Sequence, residues 1–323
     1  IALLMLSMVH PHWAMTLSVS YVMASQALSG IAKDLTKMSS KSAVKLLVNG
    51  GNGALFKWVA ILTGSKNALK GVGFMLGGVS LTWLGFTHSL WLMAAALGLV
   101  LLAALIFLNQ DMGKSKKKVK FTQLFSKSRE INWLSASRFF LFASRDVWFV
   151  VALPVFLKSQ LGWSFNQVGS FMAAWVIAYG IVQASAPRLI GHHRPGRSAA
   201  RWVGLLALVT ASLGAAITLD FHPVTSIFVG LGLFGIVFAI NSAVHSYLIL
   251  TFTSDDQVAL NVGFYYMANA WGRLVGTLLS GLMFIFGGLA ACLWTSAVML
   301  LAAFIMTLPL HAAQSTMGSD DEH

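Results

Sequence analysis

Residues 56–78 read FKWVAILTGSKNALKGVGFMLGG, a run long and apolar enough to cross a bilayer that nevertheless carries Lys66 and Lys70 near its middle. At 1.5 Å per residue, about twenty helical residues cover the roughly 30 Å hydrocarbon core. The two lysines are four residues apart, so they rise from one helical face, with Thr63, Asn67 and Gly73 close to the same stripe. A lysine at mid-membrane costs about 2.5–3.5 kcal/mol on insertion scales, so this face is expected to line a wet cavity rather than meet lipid. The alternative, that both stems snorkel to one interface, is opposed by the central position of Lys66 in the run. The face is expected to hold an anion.

Composition points the same way. Of 323 residues 57% are hydrophobic and only 10% charged, with a mean hydropathy of +0.75; a soluble domain needs about 25% charged residues to cover its surface. The chain reads as an all-α polytopic membrane protein. Its lone cysteine, Cys292, excludes a disulfide within the chain and a thiolate-held metal cluster. The net charge of +12 lies largely in short segments beside apolar runs, which is the positive-inside pattern and not a nucleic-acid surface.

About ten spans are expected. The first residues, IALLMLSMV, lack an initiator methionine and a basic flank, so they read as the tail of a membrane helix rather than a signal peptide, and the N-terminus is expected to be missing. Spans follow at 13–32, 56–78 and 89–108, then at 131–157, 167–190, 202–219, 224–252, 261–281 and 290–310. Pro154 is expected to kink its helix near the exit. The segments 33–53, 110–130 and 191–201 read as basic loops, and alternation puts all three on the cytoplasmic side. Asn49-Gly50-Gly51-Asn52-Gly53 marks a turn and not a phosphate loop, because no Gly-Lys-Ser/Thr follows a strand. The His192-His193 pair reads as part of a solvated loop, without a metal. The organisation is an N-terminal bundle over 1–109, a basic cytoplasmic linker over 110–130, a C-terminal six-helix bundle over 131–310 and an acidic tail over 311–323.

The ionisable residues inside the spans carry the functional expectation. Arg138 and Arg145 are seven apart on one face, and Asp146 follows directly. Asn241 and His245 share a face one turn apart, and Tyr266, Asn269, Arg273 and Thr277 recur at helical spacing. Gly272 and Gly276 form a small-xxx-small pair suited to close approach of another helix. Five buried cations, Lys66, Lys70, Arg138, Arg145 and Arg273, face one deep carboxylate. One or two of the five are expected to cap neighbouring helix C-termini at the interfaces, but the surplus points to a substrate with several negative charges, whereas a cation or drug transporter would place carboxylates here. The five would hold oxyanions, with arginine supplying bidentate forks and lysine a point charge. Asn67, Tyr266, Asn269, Asn241 and His245 are the candidate neutral donors. Asp146 is either a coupling residue released on protonation or a permanent ion-pair partner. No catalytic residue, cofactor or metal is expected. A membrane-embedded transferase would need acids at a membrane face, for which only Asp255-Asp256 is available.

A shift of 208 residues superposes Phe56, Ala60, Gly64, Gly73 and Met75 on Phe264, Ala268, Gly272, Gly281 and Met283. Parallel six-span repeats joined by a basic cytoplasmic linker are the plan of the major facilitator fold, two pseudo-symmetric helical bundles, of which about ten of twelve spans are present here. The strings QALSGIAKDLTKMSSKSAVKLL, KWVAILTGSKNALKGVGF, FSKSREINWLSASRFFLFASRDVWFVVALPVFL and NVGFYYMANAWGRLVGTLLSGL closely resemble the ArsJ-type organoarsenical efflux permeases of the major facilitator superfamily. The resemblance covers nearly the whole chain. It implies alternating-access export of 1-arseno-3-phosphoglycerate across a bacterial inner membrane, the ester being made by a glyceraldehyde-3-phosphate dehydrogenase that uses arsenate in place of phosphate, with arsenate resistance as the outcome. The resemblance implies twelve spans, of which the first two, and the loop after them, are expected to be missing here.

Overall fold

In a computed structural model the described residues are 1–10, 12–48, 51–107, 128–190, 195–253 and 257–310. Among them the apolar runs form α-helices and no strand: α1 (Ala2–Ser7), α2 (Met15–Leu47), α3 (Gly51–Phe107), α4 (Arg129–Phe149), α5 (Ala152–Ser159), α6 (Phe165–Ile190), α7 (Pro195–Thr218), α8 (Pro223–Thr251) and α9 (Val258–Thr307). Among the described residues six stretches are long and apolar enough to cross a membrane: Val79–Phe107, Arg129–Ser159, Asn166–Leu189, Ser198–Thr218, Pro223–Thr251 and Val258–Thr307. The expected span 13–32 falls on the less apolar α2, which starts two residues later, and 56–78 lies within the first part of α3. Most of the 110–130 segment, the His192-His193 pair, Asp255-Asp256 and the 311–323 tail lie outside the described residues.

Glycine and proline set the breaks. Gly85 (φ 74°) divides α3, and Gly287-Gly288, the latter at φ 61°, divides the 50 residues of α9 into two passes. These positive φ values lie where a Cβ is disfavoured. The chain reverses between α7 and α8 through Asp220 and His222, both left-handed, and α8 then starts on Pro223, whose fixed φ suits a first helical turn. Ahead of α6, Ser164 Oγ accepts from the Gln167 amide at 3.2 Å while Gln167 Oε1 accepts from the Ser164 amide at 2.8 Å, a capping box. Pro154 has no N–H to offer the Val150 carbonyl, and the helix expected over 131–157 is broken one turn upstream of it, between Phe149 and Ala152.

Two expected loops are largely helical. Residues 33–47 continue α2, because nothing before Asn49-Gly50 breaks a helix, lysine is a good helix former, and Lys37 pairs with Asp34 a turn away. Residues 195–201, expected as loop, open α7. Hydropathy misses both because the segments are charged, not because they are irregular.

Two compact units result, one of Ile1–Ala43 with Val72–Lys117 and the other of Val44–Gly71 with Lys118–His323. In the first, Trp91 Nε1 donates to Ser7 Oγ at 3.1 Å. In the second, the core gathers Trp148, Leu153, Leu206, Leu231, Phe234 and Phe238, all buried. Its main seam joins α4 to α9. A Cβ on Gly272 would stand 2.2 Å from the Phe139 carbonyl oxygen, and one on Gly276 2.5 Å from that of Ala143, so only glycine permits this approach. Serine hydroxyls stitch the seam: Ser137 Oγ donates to the Ala303 carbonyl at 3.0 Å and Ser296 Oγ to that of Ser144 at 2.7 Å. A second close crossing joins α3 to α6, where a Cβ on Gly64 would come within 2.5 Å of the Gly180 carbonyl oxygen.

Lys45 Nζ, at the end of α2, donates to the Leu250 carbonyl at 2.6 Å and to that of Thr253, capping the open C-terminus of α8. Phe56 packs on Tyr247 nearby, ring centroids 4.9 Å apart. A cation at a helix C-terminus contributes up to about 1 kcal/mol, so Lys45→Met is expected to lower the thermal midpoint of the purified protein by a few degrees, and Lys45→Arg to retain it.

Candidate functional site

The site grows from one stripe of α4. At 100° per residue, Arg138, Phe142 and Arg145 fall on one face, and Asp146 flanks it. The backbone contact at Gly272 brings α9 against this face, so that Asn269 and Arg273, either side of the glycine, reach across. The polar turn of α8 around Asn241, Ser242 and His245 closes the third side.

Arg138 is 4% exposed. Its Nε donates to Asn269 Oδ1 and its Nη1 to Ser242 Oγ, each at 3.1 Å. Its guanidinium carbon stands 3.9 Å from the Phe142 ring centroid and 5.0 Å from that of Tyr265. Among the described residues no carboxylate pairs with it. The neutral acceptors and ring faces recover part of the desolvation cost of this charge, the rings contributing up to about 2 kcal/mol when dry. What remains is a standing attraction for an anion.

The second group is an ion triad. Asp146, fully buried, accepts from Arg145 Nε at 2.6 Å on Oδ1, with Arg145 Nη2 at 2.5 Å, and from Arg273 Nε at 2.9 Å on Oδ2. Arg145 also stacks on Phe142 and Phe238, at 4.8 and 5.4 Å. Two arginines thus share one carboxylate, and Arg138 stands in the same compact unit with neutral partners only among the described residues. Both guanidiniums of α4 touch the same Phe142 ring, which places their carbons within about 9 Å of each other.

Asn241 and His245 are completely buried, and neither the amide nor the imidazole has a hydrogen-bond partner among the described residues. His245 lies within electrostatic reach of Arg138. A buried polar group left without any partner, water included, costs about 1–3 kcal/mol, so both side chains are polar groups that can serve as donors or acceptors beside Arg138. Tyr266 is half-buried, its ring 5.7 Å from that of Tyr265.

The α3 residues stand differently. Gly64, Ala68 and Gly71 face α6, and at 100° per residue Lys66 and Lys70 leave from the opposite side, both exposed. Asn67 donates to the buried Gln183 Oε1 of α6 at 2.5 Å, so in this structure its amide serves the helix crossing and not the lysine stripe. The residues that sequence reasoning left out of the site are Ser242, Phe142, Phe238 and Gln183. Of these only Phe142 had a readable signal, lying one turn from each arginine of its own helix.

Away from the arginines, a groove of 720 Å³ between α7 and α8 is lined by Leu208, Leu213, Val229 and Leu233, with His222 and Ser226 among its polar groups. It shares no residue with the cluster described above.

No curated protein matches the chain. Among solved structures, a bacterial homologue of the iron transporter ferroportin in the outward-facing state superposes with a TM-score of 0.74 at 16% identity, covering 94% of this chain and 75% of that one. The human organic anion transporter MFSD10 gives 0.73 at 18%, covering 95% and 75%. The ferroportin homologue with soaked iron gives 0.68 at 16%, covering 95% and 79%. At these identities the likeness is one of fold. The sequence itself matches the profile of the Major Facilitator Superfamily over residues 134–319, more than half of the chain and including the helices that carry Arg138, Asp146, His245 and Arg273, so this multi-pass membrane protein belongs to the Major Facilitator Superfamily.

Proposed function

We propose that the protein exports an organoarsenical anion, 1-arseno-3-phosphoglycerate, across the bacterial inner membrane by alternating access, in functional partnership with a glyceraldehyde-3-phosphate dehydrogenase that makes the ester. The observation that supports an anionic cargo is the charge balance of the core: Arg138 buried with no acid paired to it among the described residues, and Arg145 with Arg273 sharing Asp146. Guanidinium forks match tetrahedral oxyanions, and the proposed cargo offers a phosphate, an arsenate ester and a carboxylate. The identity of the cargo comes from the resemblance of the quoted strings to organoarsenical permeases. Lys66 and Lys70 are proposed to meet the substrate electrostatically, and Tyr266, Asn269, Asn241 and His245 to donate or accept around it. In this reading the 110–130 segment is a cytoplasmic linker between two bundles.

A guanidinium does not separate an arsenate ester from a phosphate ester, so the same cluster supports a second reading, export of another phosphorylated metabolite or oxyanion. The test is arsenate resistance and cellular arsenic in sensitive bacteria expressing the dehydrogenase with or without the permease. Arsenic is expected to fall only when both proteins are present, and Lys66→Met and Arg273→Met are expected to insert normally and restore the arsenic content of cells without permease. Unchanged arsenic with well-inserted wild-type protein turns the assignment to the second reading.

A further inference from the structure

Asp146 had two possible roles on sequence grounds, and its geometry separates them. Each of its oxygens is taken by a different arginine, Oδ1 by Arg145 and Oδ2 by Arg273, and each arginine meets it through Nε, on the side edge of the guanidinium. An arginine gripped by its side edge is fixed in rotation about its last bond; at Arg145 the grip takes Nε and Nη2 and leaves Nη1 on the far side, and at Arg273 it takes Nε. Both arginines are gripped through Nε, but they sit differently: Arg145 is 16% exposed and backed by two aromatic rings, whereas Arg273 is 46% exposed. The carboxylate itself is fully buried. A proton carrier has to exchange with water, and Asp146 is sealed from it behind both of its partners.

We infer that Asp146 is a positioning residue that locks Arg145 and Arg273 as a two-guanidinium fork for one tetrahedral oxyanion group of the cargo. This rests on the anion-transport reading above and deepens it. The fork is built across the α4–α9 seam, since Asp146 and Arg145 come from α4 and Arg273 from α9, next to Gly272. Arg138, which has its own acceptors in Asn269 and Ser242, is outside the grip and is free to take a second anionic group.

The test uses the full chain in proteoliposomes with 3-phosphoglycerate as the probe, a stable compound with one phosphate and one carboxylate. Equilibrium exchange, which needs binding but no driving gradient, is measured beside uptake driven by a pH gradient. Asp146→Asn is expected to raise the exchange KM about tenfold or more while the maximal rate changes little, with driven and exchange rates falling together. Because Asp146 acts through its arginines, the same change in an Arg273→Gln background is expected to cost less than about threefold. Asp146→Glu keeps the charge and shifts the grip by one methylene. It is expected to insert and melt as wild type and to raise KM about threefold, which covers the case of an Asn variant that fails to fold. Wild-type KM in either variant overturns the positioning role, and wild-type exchange with lost response to the pH gradient assigns Asp146 to coupling instead. Wild-type protein that exchanges neither 3-phosphoglycerate nor inorganic phosphate overturns the anion reading, and the fork with it.

Discussion

Arg138→Met is expected to lower apparent affinity for 3-phosphoglycerate by about a hundredfold, the loss of one charge-assisted fork in a dry site, while leaving the protein as stable as wild type or slightly more so. Function and stability should part company at this residue because of what surrounds it. Arg138 is 4% exposed and has no carboxylate partner among the described residues, so it contributes a desolvated charge that the empty protein does not neutralise. A methionine removes that charge and, though shorter by the guanidinium, keeps an apolar flexible side chain beside Phe142 and Tyr265. The change leaves Asn269 Oδ1 and Ser242 Oγ without their donor, which costs about 1–3 kcal/mol for a buried group that stays unpaired and less here, because Asn269 is only half-buried and the serine hydroxyl can turn to another acceptor. Thermal unfolding in detergent with and without the probe measures both quantities on one sample. A structural arginine would give the opposite result, with a large drop in midpoint and intact binding in whatever protein still folds. Arg138→Lys, which keeps the charge but not the fork, is expected to fall between.

The sequence disclosed the membrane architecture and much of the charge logic, for reasons that are local. Apolar runs of bilayer length report spans directly, and Gly85, Pro154 and Gly287-Gly288 punctuate them where backbone geometry requires it. The seven-residue spacing of Arg138 and Arg145, with an acid next door, is also a local fact, and the helix presents it as read. The limits are tertiary. Nothing in the neighbourhood of Asn67 announces Gln183, 116 residues away, which takes its amide. The acceptors of Arg138, Asn269 and Ser242, come from two other helices, and only the packed bundle selects them from the many polar residues at similar depth. The helical character of residues 33–47 was missed for a simpler reason: hydropathy sees apolar helices, and a lysine-rich helix beyond the end of a span looks like a loop to it.

The internal shift of 208 residues makes a sharper prediction than shared composition, because it pairs glycines whose surroundings can be compared. Gly64 and Gly272 are counterparts, and both sit in backbone-to-backbone crossings: a Cβ would lie 2.4 Å from the Ala184 amide nitrogen in one case and 2.2 Å from the Phe139 carbonyl oxygen in the other. Gly73 and Gly281 are also counterparts, and a Cβ at either meets nothing within 4 Å. Gly272→Val must push α9 away from α4, since the obstructing atoms are backbone and cannot rotate aside, and overpacking of this kind costs about 1–3 kcal/mol or more. The displacement acts directly on the site, because Asn269 and Arg273 flank the glycine and reach Arg138 and Asp146 only across the closed seam. Gly272→Val is therefore expected to lose folding yield and to abolish exchange in the fraction that folds. Gly64→Val should lose folding yield in the same way through the α3–α6 crossing. Gly73→Ala and Gly281→Ala should insert, melt and transport as wild type. Yield, thermal midpoint and exchange rate across the four variants decide it: if crowded and open positions behave alike, the glycines are there for flexibility rather than approach. If the crowded pair fails and the open pair does not, the counterpart glycines have kept the same packing role at the same register, and Arg273, beside Gly272, is held in place by that crossing.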